Sequence, residues 1–162
     1  MKSLIVGVAL ILLYTIFIIY QDDSNTYQRE LERLKQVADE CASSGALYFY
    51  ENQYSEGYKV INQTETINAI EYILKYNLKL DDNFNPLSIS YWKEHITYNA
   101  YFFDDSNTSF PFLYTDPYTG GQKLITEPSV VVIINAGYGD FRLSFLDLND
   151  SIRSSSYEYY TR

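Results

Sequence analysis

The chain begins with an uninterrupted apolar run from Leu4 to Tyr20, LIVGVALILLYTIFIIY, which contains no charged residue. In hydrocarbon, every backbone N–H and C=O group must find its hydrogen-bond partner within the segment, so this run predicts a membrane-spanning helix. Its 17 residues extend roughly 25 Å as an α-helix, slightly less than the ~30 Å hydrocarbon core of a bilayer. Local thinning or association with other helices compensates for such a shortfall. We therefore predict a transmembrane anchor over residues 1–21.

Two other structures are compatible with an apolar N-terminal run. A cleaved secretory signal has an apolar core of about 7 to 15 residues followed by a site of small side chains, whereas Ile18, Ile19 and Tyr20 end this run. A buried helix of a soluble protein is usually shorter. An uncleaved anchor fits the run better than either alternative.

Charges on the two flanks of the run predict its orientation. Lys2 precedes it, and Asp22 and Asp23 follow it directly. Because positive flanks stay on the cytoplasmic side, we expect a single-pass protein of the cell membrane with its N-terminus in the cytoplasm. The rest of the chain is then extracytoplasmic.

Composition restricts the partners. The formal net charge is -9, from 21 acidic and 12 basic side chains, which disfavours binding to nucleic acid. The expected partners are the membrane and other proteins. Cys41 is the single cysteine, so no intramolecular disulfide can form. The 18 Tyr and 9 Phe residues are typical of half-buried β-strands.

A second helical pattern follows the anchor and predicts a helical stalk over residues 22–58. Apolar and small residues recur alternately every four and three positions from Tyr27 to Tyr48, with charged residues between them. This narrow apolar seam suits close packing against a neighbouring helix or sheet. We predict that it forms a helix-packing interface for a homo- or hetero-oligomer, comprising Leu31, Leu34, Ala38, Cys41, Ala42, Gly45 and Ala46.

The stretch Ala38-Asp39-Glu40-Cys41-Ala42-Ser43-Ser44-Gly45-Ala46 resembles the Ala-Asp-Ala-Ala-Ala-Leu-Ala-Gly-Ala segment that follows the membrane helix in TadE-like and TadG-like pilus-assembly proteins (pseudopilins). Identity and spacing coincide at Ala38, Asp39, Ala42, Gly45 and Ala46. The resemblance covers about the first 50 residues. It implies a membrane-anchored structural subunit with a pilin-like fold. Unlike type IV prepilins, the apolar run has no Glu, and Gly7 is followed by Val8.

The remaining residues, 59–162, predict an extracytoplasmic α+β domain. Asn62 and Glu65 form a capping-box-like start for a short helix of about 13 residues. The later chain is rich in Val, Ile, Phe, Tyr and Thr between turn residues. The predicted strands are 96–103, 110–114, 122–125, 129–135 and 141–146, with hairpin turns at 116–121 and 137–140. The long N-terminal helix is expected to lie across an antiparallel sheet, with 130–134 as a central strand covered by a helix.

The sequence contains no convincing catalytic, cofactor or metal site. His95 is the only histidine, and nothing places it beside Cys41. Ser90-Tyr91-Trp92-Lys93 matches the Ser-x-x-Lys pattern but lacks its companion motifs. Asp81–Asn85 lacks the Gly and Glu of a calcium loop, and Gly137–Asp140 lacks the third Gly of a phosphate loop. We expect no enzyme activity and no cofactor.

Two non-enzymatic functions remain. The first is a membrane-anchored structural subunit, pseudopilin-like, that assembles through its N-terminal helix in a pilus or secretion-type apparatus. The second is an extracytoplasmic ligand-binding or sensory module that uses a tyrosine-rich sheet, with Tyr98, Tyr101, Tyr114 and Tyr118 as candidate contacts. The anchor and the seam favour the first.

Overall fold

One uninterrupted helix, α1 (Lys2–Gly45), joins the apolar run to the rest of the protein. The computed structural model describes residues 2–142 and 150–159. α1 has 44 residues and is therefore roughly 66 Å long. None of residues 4–20 is buried, whereas one face is buried from Leu31 onward. Asp22 and Asp23 do not interrupt the helix, so the apolar run and the folded domain share one continuous helix.

Two further helices follow. α2 (Glu51–Ser55) is a single turn that ends near Gly57, whose φ of 92° is readily adopted only by glycine. α3 (Gln63–Leu78) begins as the capping-box pattern predicted: Asn62 is the N-cap and its side chain accepts a hydrogen bond from the Glu65 N–H at 3.3 Å. α3 has 16 residues, compared with the predicted length of about 13.

A three-stranded antiparallel sheet has the order β1–β4–β5, formed by β1 (Thr97–Phe103), β4 (Ser129–Asn135) and β5 (Ile152–Glu158). β4 is central, as predicted, and its first six residues are buried. Side chains alternate between the two faces of a strand. Val130, Val132 and Ile134 therefore pack against α1 and α3, whereas Val131 and Ile133 face the opposite side.

That opposite side is covered by a hairpin of β2 (Phe112–Thr115) and β3 (Gln122–Ile125). The predicted turn at 116–121 is confirmed. Asp116 closes it by accepting hydrogen bonds from the N–H groups of Tyr118 and Thr119 at 2.8 and 3.0 Å. Tyr114 and Ile125 of the hairpin bury Val131 and Ile133. The domain thus has three layers, with the sheet between the helices and the hairpin.

The predicted α+β class, with a long N-terminal helix, a short helix and antiparallel sheets, is confirmed. Two details differ from the sequence-based expectation. β5 was not predicted, because its serine-rich sequence lacks an apolar alternation. The predicted turn at 137–140 does not lead into a strand at Phe141, since Phe141 and Arg142 turn back toward α1; residues 143–146 of the predicted strand 141–146 lie outside the described residues.

Candidate functional site

The first part of the candidate site is the exposed segment of α1. Within residues 2–142 and 150–159, α1 is the one helix long and apolar enough to span a membrane, and no part of its apolar stretch is buried. Leu4, Leu10 and Phe17 are all exposed. So many large apolar side chains in contact with water would be strongly unfavourable. This segment is therefore a candidate membrane span or signal anchor.

The second part is an ionic junction directly after that segment. The Arg142 main-chain N–H donates to Asp23 Oδ2 at 3.0 Å, and its Nε donates to Asp23 Oδ1 at 2.7 Å. Its Nη2 lies 2.6 Å from Asp22 Oδ2. These hydrogen bonds, first to Asp23 and then to Asp22, raise the pKa of the Arg142 guanidinium. The connection between β4 and β5 is thereby attached to α1 at the end of the apolar segment.

Aromatic packing extends this junction by one helical turn. The rings of Tyr27 and Phe141 meet edge to face with centroids 5.4 Å apart. The Tyr27 hydroxyl is 3.0 Å from Ser151 Oγ. Gly139 lies so close to Tyr27 that a Cβ atom there would be 2.8 Å from the ring. Residues that precede Arg142 in the sequence and Ser151, which follows it, therefore pack closely against Tyr27 of α1.

The third part is the predicted helix-packing interface. All seven of its residues are buried, namely Leu31, Leu34, Ala38, Cys41, Ala42, Gly45 and Ala46. They pack against α3 and β4 of the same chain. The predicted stalk, 22–58, and the predicted domain, 59–162, thus share one hydrophobic core over the residues that the structure describes.

Gly45 shows why this face needs small residues. A Cβ atom at Gly45 would be 2.8 Å from Thr66 Cγ2 and 3.5 Å from both Ile70 and Val130. The Thr66 hydroxyl donates to the Gly45 carbonyl at 2.9 Å. α3 therefore caps one of the last carbonyls of α1 at a distance that only glycine permits.

The residues considered for catalysis are separated from one another. Cys41 is buried, and desolvation, assisted by Glu40, raises the pKa of its thiol to about 12. His95 is exposed, and its Nδ1 lies 3.3 Å from Asn85 Oδ1. Such a cysteine is protonated at neutral pH, and its Sγ lies 3.8 Å from the Ile70 carbonyl. The two residues do not form a nucleophile–base pair.

The remaining motifs serve as local structure. Ser90 Oγ donates to the Leu78 carbonyl at 2.8 Å, and Lys93 Nζ reaches the carbonyl of Ser90 instead of its hydroxyl. Asp81 Oδ1 accepts from the N–H groups of Asn83 and Asn85 at 2.8 and 2.9 Å, which closes a turn. Over the described part of the chain, no three His, Cys, Asp or Glu side chains are grouped as metal ligands.

The four tyrosines proposed for ligand contact lie on different surfaces. Tyr98 is on the helix side of β1 and donates to Glu71 at 2.9 Å. Tyr101 of β1 and Tyr114 of β2 pack between the sheet and the hairpin on the opposite side, with ring centroids 6.2 Å apart. Tyr118 is exposed on the hairpin turn. The sheet separates Tyr98 from the other rings, so the four do not form one aromatic platform.

Sequence reasoning missed the role of Arg142. Asp22 and Asp23 stand out in the sequence as flanking charges of the apolar run and, together with Ser24 and Asn25, as residues able to cap a separate helix. Their partner is 119 positions from Asp23 and follows a strand of unrelated pattern. No local signal connects these residues, because a long-range ion pair leaves no periodicity in the sequence.

No family model matches this sequence, and no curated protein or solved structure matches it either. The functional conclusion therefore follows from the exposed apolar segment, the ionic junction and the buried seam.

Proposed function

We propose that this protein is a non-enzymatic, membrane-anchored structural subunit, pseudopilin-like, whose folded domain lies outside the cell. The single observation that carries this proposal is the continuity of α1. Its first half is apolar and exposed, and its second half forms the hydrophobic core of the domain. A helix of this kind transmits its position in the bilayer directly to the domain, as a structural subunit requires.

The junction supports a domain held at a defined height above the membrane. Arg142, Asp22 and Asp23 lie immediately beyond Tyr20, the last residue of the apolar run. Charged groups are excluded from hydrocarbon, so they belong in the aqueous or headgroup region. Lys2 on the other flank is consistent with a cytoplasmic N-terminus. The domain then begins within a few residues of the bilayer, without a flexible linker.

The buried seam restricts how the subunit assembles. Since residues 31–46 of that seam pack inside the same chain, a neighbouring subunit has access to the anchor segment instead. A Cβ atom added at Gly7 would have no atom from elsewhere in the chain within 4 Å, so a neighbouring helix can approach this position closely. Assembly in a pilus or secretion-type apparatus is therefore proposed to use contacts between membrane helices.

The anchor is tested by fractionation of the native protein. We expect wild type to resist extraction by alkaline carbonate and to retain its N-terminal residues by intact-mass measurement. In the variant with Ile11→Lys and Leu12→Lys, each charge costs about 2.5 to 3.5 kcal/mol at the centre of a span, so insertion should fail. Leu47→Lys, at an exposed position in the domain, is the matched control. A soluble wild-type protein would refute the anchor.

Assembly is tested by crosslinking in the membrane. Wild type should give crosslinked multimers, and Gly7→Leu should reduce them because a large side chain separates the helices. Leu10→Ala is the control for a change of size in the anchor that leaves approach unhindered. Protease added to intact cells should remove the domain if it is extracytoplasmic. Wild type that remains a monomer after gentle extraction would contradict the structural role.

A further inference from the structure

β5 is an edge strand whose outer side is unpaired. Within residues 2–142 and 150–159, β5 pairs only with β4. The Tyr159 N–H donates to the Pro128 carbonyl at 2.9 Å, and the Ala136 N–H donates to the Ser151 carbonyl at 3.0 Å. Ser151 and Tyr159 thus direct their backbone groups toward β4, and this direction reverses from each residue to the next along an antiparallel strand. The N–H and C=O groups of Ser154 and Ser156 therefore point away from β4, where the described residues provide them with no partner.

A groove runs along this outer edge. It consists of two adjoining cavities of about 300 and 370 Å³, both lined by Lys35 of α1. The first cavity also contacts Lys123 of the hairpin. Because α1 and the hairpin cover opposite faces of the sheet, a cavity that touches both must pass around the edge of β5. The free backbone groups of Ser154 and Ser156 thus face an open groove.

A residue that lines the groove carries an unsatisfied hydroxyl group. Tyr114 is only 9% exposed and lines the first cavity. Its hydroxyl group has no hydrogen-bond partner within the described part of the chain. A buried polar group without a partner is unfavourable, so a ligand that supplies one is favoured. This observation is independent of the strand edge and is consistent with a polar ligand beside Tyr114.

The geometry points to a site at which an extended segment of a partner protein adds to β5 as a fourth strand, pairing with the free backbone groups of Ser154 and Ser156 in the groove between α1 and the hairpin. Main-chain hydrogen bonds supply affinity in this mode of binding, and neighbouring pockets supply selectivity. Small serine side chains leave room for those of the segment. Basic and acidic groups line the groove in equal number, which favours an uncharged segment: Lys35, Lys123, Arg153, Glu32, Asp39 and Asp116.

A second copy of this chain is a poor occupant of the edge. Tyr27 contacts Ser151, and Asp39 accepts a hydrogen bond from Ser155, so α1 and β5 run in the same direction. Twofold-symmetric pairing would place the two β5 strands antiparallel. The two α1 anchors would then point in opposite directions, which one bilayer cannot accommodate. The occupant is therefore a segment of another protein.

The test uses the full-length protein in detergent micelles and a displayed library of random heptapeptides. The most enriched peptide is synthesised, and its affinity is measured for wild type and variants. Ser154→Pro and Ser156→Pro each remove an outward N–H without touching the ladder to β4. We expect each to weaken binding by about tenfold, equivalent to roughly 1.4 kcal/mol. Ser154→Ala and Ser156→Ala keep the N–H and should stay within about twofold of wild type.

Tyr114→Phe tests the unsatisfied hydroxyl group separately. It should weaken peptide binding by about threefold or more without lowering the melting temperature, since the hydroxyl has no partner in the free protein. If a proline variant fails to fold, hydrogen exchange of the wild-type amides, measured with and without peptide, tests whether the peptide pairs with β5. The Ser154 and Ser156 amides should exchange at least about tenfold more slowly with the peptide bound.

Four results would overturn the inference. The library could yield no enriched peptide, as for an edge whose charged neighbours exclude every strand. The enriched peptide could bind the proline variants as tightly as wild type. The Ser154 and Ser156 amides could exchange at the same rate with and without peptide. Finally, concentration-dependent dimers that Ser154→Pro abolishes would assign the edge to a second copy of this chain.

Discussion

Arg142 holds Asp23 through both its main chain and its side chain, with N–H and Nε at 3.0 and 2.7 Å from the two carboxylate oxygens. Asp23 is only 6% exposed, although it lies three residues beyond the apolar run. The Arg142 side chain also reaches Asp22, so one cation spans two carboxylates at the start of the domain. This contact joins the end of the apolar run to the chain that follows β4.

Asp23→Asn should therefore destabilise the domain more than Asp22→Asn does. Asp23 accepts two hydrogen bonds and is buried, whereas Asp22 is mostly exposed. We expect the free energy of unfolding to fall by about 1 to 2 kcal/mol for Asp23→Asn, since Arg142 is itself partly solvated. For Asp22→Asn the change should stay within about 0.5 kcal/mol. Denaturant unfolding in detergent micelles measures both, and equal losses would contradict the assignment.

Gly45→Ala should weaken the packing of α3 on α1. The added methyl group would meet Thr66 Cγ2 at 2.8 Å, and overpacking of this kind costs about 1 to 3 kcal/mol. Gly7→Ala, where an added Cβ would meet no atom from elsewhere in the chain within 4 Å, is the matched control and should not lower stability, because Ala favours a helix interior over Gly.

The second substitution Thr66→Ser checks the cause of that loss. Serine lacks Cγ2 but keeps the hydroxyl group that donates to the Gly45 carbonyl. In the double variant, Gly45→Ala with Thr66→Ser, the melting temperature should recover toward that of Thr66→Ser alone. If the two losses simply add, contact with Thr66 is not the source.

Protonation of Glu158 should make the free energy of unfolding depend on pH. Burial raises the pKa of Glu158, but hydrogen bonds from Thr126 and Lys123 outweigh it and hold the pKa below its usual 4.5. The carboxylate therefore stabilises the fold fully above pH 4.5, and this contribution is lost as the pH falls through the folded-state pKa. Glu158→Gln should be less stable than wild type at pH 7, by about 1 to 3 kcal/mol.

Unfolding measured from pH 7 to pH 3 provides the control for Glu158. The difference between wild type and Glu158→Gln should be constant from pH 7 to about 5 and should shrink in more acidic solution, since only wild type loses a charge. A difference that does not change with pH would mean that the loss comes from packing alone.

Cys41 should be unreactive in the folded protein. Burial raises the pKa of its thiol to about 12, so the thiolate that alkylating reagents require is scarce at pH 8. We expect iodoacetamide to react with it more than about a hundredfold slower than with an exposed thiol. The comparison is Glu56→Cys in a Cys41→Ala background, because position 56 is exposed. Rapid labelling of native Cys41 would show that α1 separates readily from α3.

The sequence predicted those elements whose signals are local. The start of α3 at Asn62 follows from a hydrogen bond that spans three residues, and the turn at Asp116 follows from hydrogen bonds of the same range. The central position of β4 follows from apolar residues on both of its faces. Each pattern involves only a few neighbouring residues, so it can be recognised without knowledge of the rest of the chain.

β5 and the ionic junction were missed for the opposite reason. Ser154, Ser155 and Ser156 form a strand because β4 offers them a hydrogen-bonding partner. Arg142 meets Asp23 because the sheet returns the chain to the beginning of the domain. In both cases the decisive contact joins distant segments, which composition and periodicity do not report.

The sequence alone determined that the chain has an apolar segment able to span a bilayer, a seam of small residues after it and an antiparallel β region, since hydrophobicity and side-chain size act locally. Only the tertiary structure decided what the seam contacts. A periodic apolar face indicates that something must cover it, but the identity of the cover depends on which surface the folded chain brings nearest. Here α3 and β4 cover the face. They belong to the same chain, so they pack against Gly45 and its neighbours without the entropic cost of association.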